Sequence, residues 1–140
     1  MKRFTLLNLV LLALLPTATS GDEKISFSRD IQPLFSERCF DCHGPDKSEG
    51  GLRLHLREKA VSELESGDFA IFPGKLNAST LLERIVSQDE SDRMPPDGER
   101  LTPLEVEKIR RWIAQGAEFD GHWAFQPIRN PVLPGKNPAN

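Results

Sequence analysis

The sequence has no basic stripe. Its formal charge is −3, which gives a nucleic-acid partner no electrostatic footing. It has no apolar run of the ~20 residues that a bilayer span needs; the longest, FTLLNLVLLALL, stops short. Internal repeats are missing. There are three histidines, and neither His55 nor His122 belongs to a paired His motif, which leaves a zinc site short of ligands. There are two cysteines, and no βαβ pattern surrounds them, which weighs against a thioredoxin-like exchange motif. Methionine is equally scarce: beyond the initiator, Met94 alone remains.

Three regions follow from what is present. Met1, Lys2 and Arg3 form a short basic start, and the apolar run behind them has the length of a signal h-region. Ala18 and Ser20 are spaced like positions −3 and −1 of a cleavage site, so residues 1–20 read as a signal peptide cut near Ser20–Gly21. A retained N-terminal anchor is the alternative, and both readings send the rest of the chain out of the cytoplasm. Cleavage removes two cations and leaves no membrane span. Residues 21–122 form one domain. Residues 123–140 are proline-rich and extended, and are expected to link to a further C-terminal region.

Within the domain the pattern is helical with long loops. Residues 22–27 read as a lead-in strand or loop. A helix is expected from near Asp30 into the cysteines, with Ile31, Leu34, Phe35 and Arg38 in stagger and Pro33 in the first turn. Residues 44–54 are loop-like. Residues 56–67 read as a short helix stopped by Gly67. Residues 69–77 read as an apolar patch ending in a Pro-Gly turn. Residues 78–90 read as a helix capped by Ser79 or Asn77, with Leu81, Leu82, Ile85 and Val86 as its stripe. Residues 101–116 carry the strongest helix signal. Thr102 and Glu105 make a capping box, Pro103 takes the first position and Gly116 marks the end. Val106, Ile109, Trp112 and Ile113 share a face. A domain this small gains from a large apolar prosthetic group in its core.

The chemistry concentrates in Cys39-Phe40-Asp41-Cys42-His43. On a helical turn Cys39 and Cys42 project from one face. That spacing suits two thioether bonds to the edge of one flat macrocycle, with His43 reaching the metal at its centre. This Cys-x-x-Cys-His pattern is the attachment signature of a c-type haem. The alternatives are a disulfide used in thiol exchange and a zinc site, which would need two further ligands.

An electron-transfer haem requires a sixth ligand, and a soft thioether favours Fe(II) and raises the potential. Met94 sits in RMPPDG, a loop that Pro95 and Pro96 stiffen, which suits a ligand better than a gap-filling core role. His55 and His122 are the rival ligands, although His55 lies in an alternating segment that reads as surface. Arg53 and Arg93 are candidates to pair with the haem propionates. Trp112 is expected in the core against the ring or Phe35, and Phe40 near the ring edge.

These segments resemble a known family, the planctomycete-type cytochrome c domain, over roughly residues 27–128. IQPLFSERCFDCHGPDKSEGGLRL is similar to its haem-binding opening and FPGKLNASTLLERI to its middle segment. RMPPDGERLTPLEVEKIRRWIAQGAEF is similar to its methionine loop and last helix, and HWAFQPI to the stretch just behind the domain in family members. The resemblance implies an all-α cytochrome c-like fold, with N- and C-terminal helices packed around one covalent haem. It implies Cys39 and Cys42 as thioether sites, His43 as proximal and Met94 as distal ligand, and a place at the head of a longer secreted protein. The expected function is electron transfer in a periplasmic or secreted protein, through transient encounters with redox proteins and with no bond-making catalysis. The rivals are an electron-shuttle subdomain of a larger secreted enzyme and a ligand-binding haem sensor from which Met94 departs.

Overall fold

Helix formation begins at Ser26, earlier than the sequence pattern suggests. The Ser26 hydroxyl accepts from Arg29 N at 3.3 Å, while Asp30 Oδ2 accepts from Ser26 N at 2.9 Å. This reciprocal cap satisfies two amides that a helix start leaves open. A π-helical turn, Phe27–Ile31, results, and it runs into α1, Gln32–Arg38. Pro33 lies in the first turn of α1, where its missing amide costs no intrahelical bond. The computed structural model describes residues 23–120. The expected signal segment 1–20 and tail 123–140 lie outside the described residues, as does His122.

Four further α-helices follow: α2, Phe40–His43; α3, Arg57–Ala60; α4, Thr80–Val86; and α5, Pro103–Ala114. Among the described residues there is no strand, only an isolated antiparallel bridge between Glu63 and Phe69. The architecture is all-α with long connections.

The helix expected over 56–67 is shorter than its pattern. After Ala60 the chain bends, and Leu64 N donates to Asp68 O at 2.8 Å. Gly67, at φ +85°, serves this turn instead of ending a helix. The expected cap of α4 also works differently. Ser79 holds the cap position, yet its buried hydroxyl donates to Lys75 O at 2.8 Å and accepts from Phe72 N at 2.9 Å. It therefore braces the preceding Pro-Gly turn. Val86 ends the stripe of α4 but is 51% exposed, because the chain leaves the helix there.

α5 matches its sequence signals closely. Thr102 Oγ1 accepts from Glu105 N at 3.3 Å, and Glu105 Oε2 accepts from Thr102 N at 2.7 Å. That backbone hydrogen bond is the main reason the Glu105 carboxyl is held below its ordinary range. Ile109, Trp112 and Ile113 are buried, with Val106 packed at the margin.

α5 packs on the first turn and on α4, and an aromatic cluster fills the joint with the N-terminal helix. The Phe27 ring lies 4.0 Å from Phe119 and 5.6 Å from Trp112, and Phe35 meets Trp112 edge-on at 5.9 Å. Such pairs contribute about 0.5–1.5 kcal/mol each beyond the area they bury. Trp112 Nε1 donates to Glu118 O at 3.0 Å, so its one polar atom is satisfied. At the edge Asp120 clamps the two ends of the domain together. It accepts from Ser28 N at 2.8 Å and Ser28 Oγ at 3.1 Å, and also from Ser26 Oγ. Burial alone would raise the Asp120 pKa; these donors outweigh it and hold the carboxyl low. The first and last helices are thereby locked, and the opposite side of α4 is left to face the cysteines.

Candidate functional site

Cys39 ends α1 by donating its amide to Phe35 O at 2.8 Å. Its own carbonyl accepts from Cys42 N at 3.2 Å and His43 N at 2.8 Å. One tight turn therefore carries Cys39, Cys42 and His43 to the wall of one cavity. Two features pin the end of that turn. Leu54 N donates to His43 O at 2.8 Å. Gly44 is buried so close to the turn that a Cβ there would stand 2.4 Å from the Phe40 carbonyl oxygen. Any larger residue would displace the backbone between the two cysteines. The approach exists only once the turn closes, so no local sequence pattern marks it.

Both thiols are free. Burial pushes the Cys39 thiol up to about 12, against the opposing pull of the Arg38 cation. Exchange chemistry requires a thiolate, so this cysteine is a poor nucleophile in the folded chain. Among the described residues no three His, Cys, Asp or Glu side chains converge as a metal site.

The cavity has a volume of about 670 Å³, inside the range of about 300–1,000 Å³ for cofactor sites. Leu52, Leu54, Ala70, Leu81 and Ile85 supply an apolar wall. Leu52 and Leu54 turn inward from the alternating segment after Gly51, while α4 presents Leu81 and Ile85. Met94 lines the same cavity from the long loop between α4 and α5. Its amide donates to Arg84 O at 3.0 Å, which fastens the loop to the last turn of α4. Within the loop Arg93 N donates to Asp89 O at 2.9 Å and Arg100 Nη1 to Ser87 O at 2.7 Å, which tie its two arms together. The Met94 side chain is half-buried against the core.

Residues far apart in the chain thus meet at one site: the Cys-x-x-Cys-His turn and Met94. His43 Nδ1 is buried and has no hydrogen-bond partner among the described residues. An apolar cavity, two free thiols at its wall and a partnerless imidazole fit a covalently held haem.

Other expected residues lie elsewhere. Arg53 and Arg93 are not on the cavity wall; Arg53 Nη1 donates to Pro45 O at 2.9 Å and Arg93 Nη2 to Pro96 O. Each guanidinium braces its own loop. The arginines on the wall are Arg38 and Arg84, which the sequence pattern did not single out as site residues. His55 is half-buried, not a surface side chain, since its ring meets Phe40 edge-on at 6.0 Å. That contact occupies both rings away from the cavity lining.

No curated protein and no solved structure matches the chain. Residues 39–98 match the family model described as planctomycete cytochrome C. The match begins at Cys39, ends at Gly98 and takes in all but three of the cavity-lining residues, Glu37, Arg38 and Glu99. It is narrower than the resemblance over 27–128, leaving α1 and α5 outside it. Haem-based electron transfer is the activity this family points to, and over residues 39–98 the chain is similar to planctomycete cytochrome C.

Proposed function

We propose that this chain is an exported electron-transfer module with one covalent haem c. Cys39 and Cys42 form the thioether links, His43 is the proximal ligand and Met94 the distal ligand. The observation that carries the reading is the convergence of Cys39, Cys42, His43 and Met94 on one apolar cavity. The bound group supplies a one-electron couple, Fe(III)/Fe(II). The chain's own residues do the rest. The turn ending at Gly44 holds the thiols and the imidazole in register. Leu52, Leu54, Leu81 and Ile85 exclude water, which favours the less charged state of the site. The loop anchored on Arg84 O presents a soft sulfur, which favours the reduced form.

Domains of this family are usually exported, in keeping with the signal-like start. No helix among the described residues is long and apolar enough to cross a membrane. A role as one module of a longer secreted protein accords with the proline-rich tail.

Met94→Ala tests the ligand set. The potential of the haem-loaded protein should fall. A tenfold loss of preference for Fe(II) corresponds to about 59 mV for a one-electron couple, and a fall of at least that size is expected. The weak red absorption of sulfur-ligated ferric haem should vanish with it. An unchanged spectrum and potential would remove Met94 from the ligand set.

A further inference from the structure

The cavity is apolar within and acidic around its mouth. Glu37, Asp41, Glu49, Glu65, Asp97 and Glu99 all line it, and all are exposed. They come from separate segments: the end of α1, the cysteine turn, the turn after Ser48, the bend before Gly67 and the methionine loop. Two cations share the wall, and both are engaged. Arg38 lies 3.7 Å from Glu37 and 3.7 Å from Glu105, and Arg84 lies 3.8 Å from Asp92. Among the described residues no ion pair engages Asp41, Glu49, Glu65, Asp97 or Glu99. Six carboxylates against two arginines leave the rim net-negative, and Glu37 alone of the six has an ion-pair partner among the described residues.

Exposed carboxylates alone are solvated surface. The independent observation is what these enclose: the cavity where the free thiols of Cys39 and Cys42 and the buried, partnerless Nδ1 of His43 meet. Electron exchange at that site requires a partner to approach its mouth, so the charge of the rim acts on every encounter. Complementary potentials raise association rates from about 10⁵–10⁶ to about 10⁸–10⁹ M⁻¹s⁻¹ at low salt, and they fix orientation. Redox encounters rely on small, short-lived interfaces, for which such steering suffices.

We propose that this acidic rim is the docking surface for a redox protein whose own exchange face is rich in lysine and arginine. The proposal rests on the haem reading above. In the encounter one electron passes between the site and the partner: when the site donates, Fe(II) becomes Fe(III) and the partner's acceptor is reduced by one electron.

The test uses the haem-loaded chain, reduced, and two one-electron oxidants in stopped flow: a cationic cobalt(III) tris-chelate and anionic ferricyanide. Covalent colour in the denatured protein is checked first. Protein without it overturns the haem reading and the rim together. With it present, the cobalt rate should fall about tenfold as ionic strength rises from ~0.01 to ~0.15 M, while the ferricyanide rate should rise. The variant Glu49→Gln/Glu65→Gln/Asp97→Asn/Glu99→Gln should lose both dependences. A control with the same charge change, Glu58→Gln/Glu63→Gln/Glu83→Gln/Glu107→Gln, removes carboxylates that do not line the cavity and should keep them. Salt-insensitive rates in coloured protein, or equal loss in both variants, would overturn the rim alone. If Ca²⁺ at constant ionic strength changed the rates beyond Na⁺, the rim would be a cation site and the proposal would fail.

Discussion

Replacing Gly44 by alanine isolates the attachment turn. The new Cβ would stand 2.4 Å from the Phe40 oxygen, 2.7 Å from its Cβ and 2.9 Å from its Cα. Two of these three atoms are backbone, so no side-chain rotation relieves them. The relief must move either Phe40, between the two cysteines, or His43, whose carbonyl holds Leu54 N at 2.8 Å. Overpacking of this kind costs about 1–3 kcal/mol. In a domain of this size each kcal/mol lowers Tm by about 4–8 °C. The disturbance also falls on the geometry that presents two thiols to one ring, so fewer chains should carry haem after export. Gly74→Ala is the comparison. Gly74 has φ +76°, and a methyl placed there would meet nothing within 4 Å, so it costs about 1–2 kcal/mol of left-handed strain without touching the cysteines. Thermal melts of the haem-loaded proteins read stability, and intact mass reads the fraction loaded. Gly44→Ala should fall in both, Gly74→Ala in stability alone. Wild-type stability and full loading in Gly44→Ala would refute the turn geometry.

Two further predictions concern the frame. Asp120 has a folded pKa below its ordinary 3.8. Its contribution is therefore complete above that ordinary value and is lost as pH falls through the lower folded one. Asp120→Asn should cost about 1 kcal/mol at neutral pH, allowing for its partial exposure, and should flatten the acid limb of a stability–pH curve; an unchanged limb would dismiss the clamp. Thr102→Ala should cost about 1 kcal/mol by denaturant melt and Thr102→Ser far less; equal losses would dismiss the capping box.

The parts of this fold that sequence makes legible are those whose signals are local. The capping box, Pro103 and the apolar face of α5 lie within one helix, and the structure follows them. The Cys-x-x-Cys-His run is a single turn. Contacts between distant segments were not legible. Asp30 reads as a helix start until Ser26 is seen to use it as a reciprocal cap. Asp120 joins the first turn to the last residues, a pairing with no periodicity. Arg53 and Arg93 have the right chemistry for a propionate, but their partners are nearby loop carbonyls, and the arginines on the cavity wall are Arg38 and Arg84. The stretch after Ala60 has helix-forming residues, and tertiary packing of Leu64 and the turn at Gly67 override that preference.

The proposed function stands on Cys39 and Cys42 as covalent moorings for an iron porphyrin. The chain should be matured in an exporting host with a haem-attachment system, denatured, extracted with acidified solvent and weighed intact. The expected result is polypeptide plus one haem, colour that stays with the protein, and release of that colour in Cys39→Ser/Cys42→Ser. A colourless chain with the mass of bare polypeptide would contradict it.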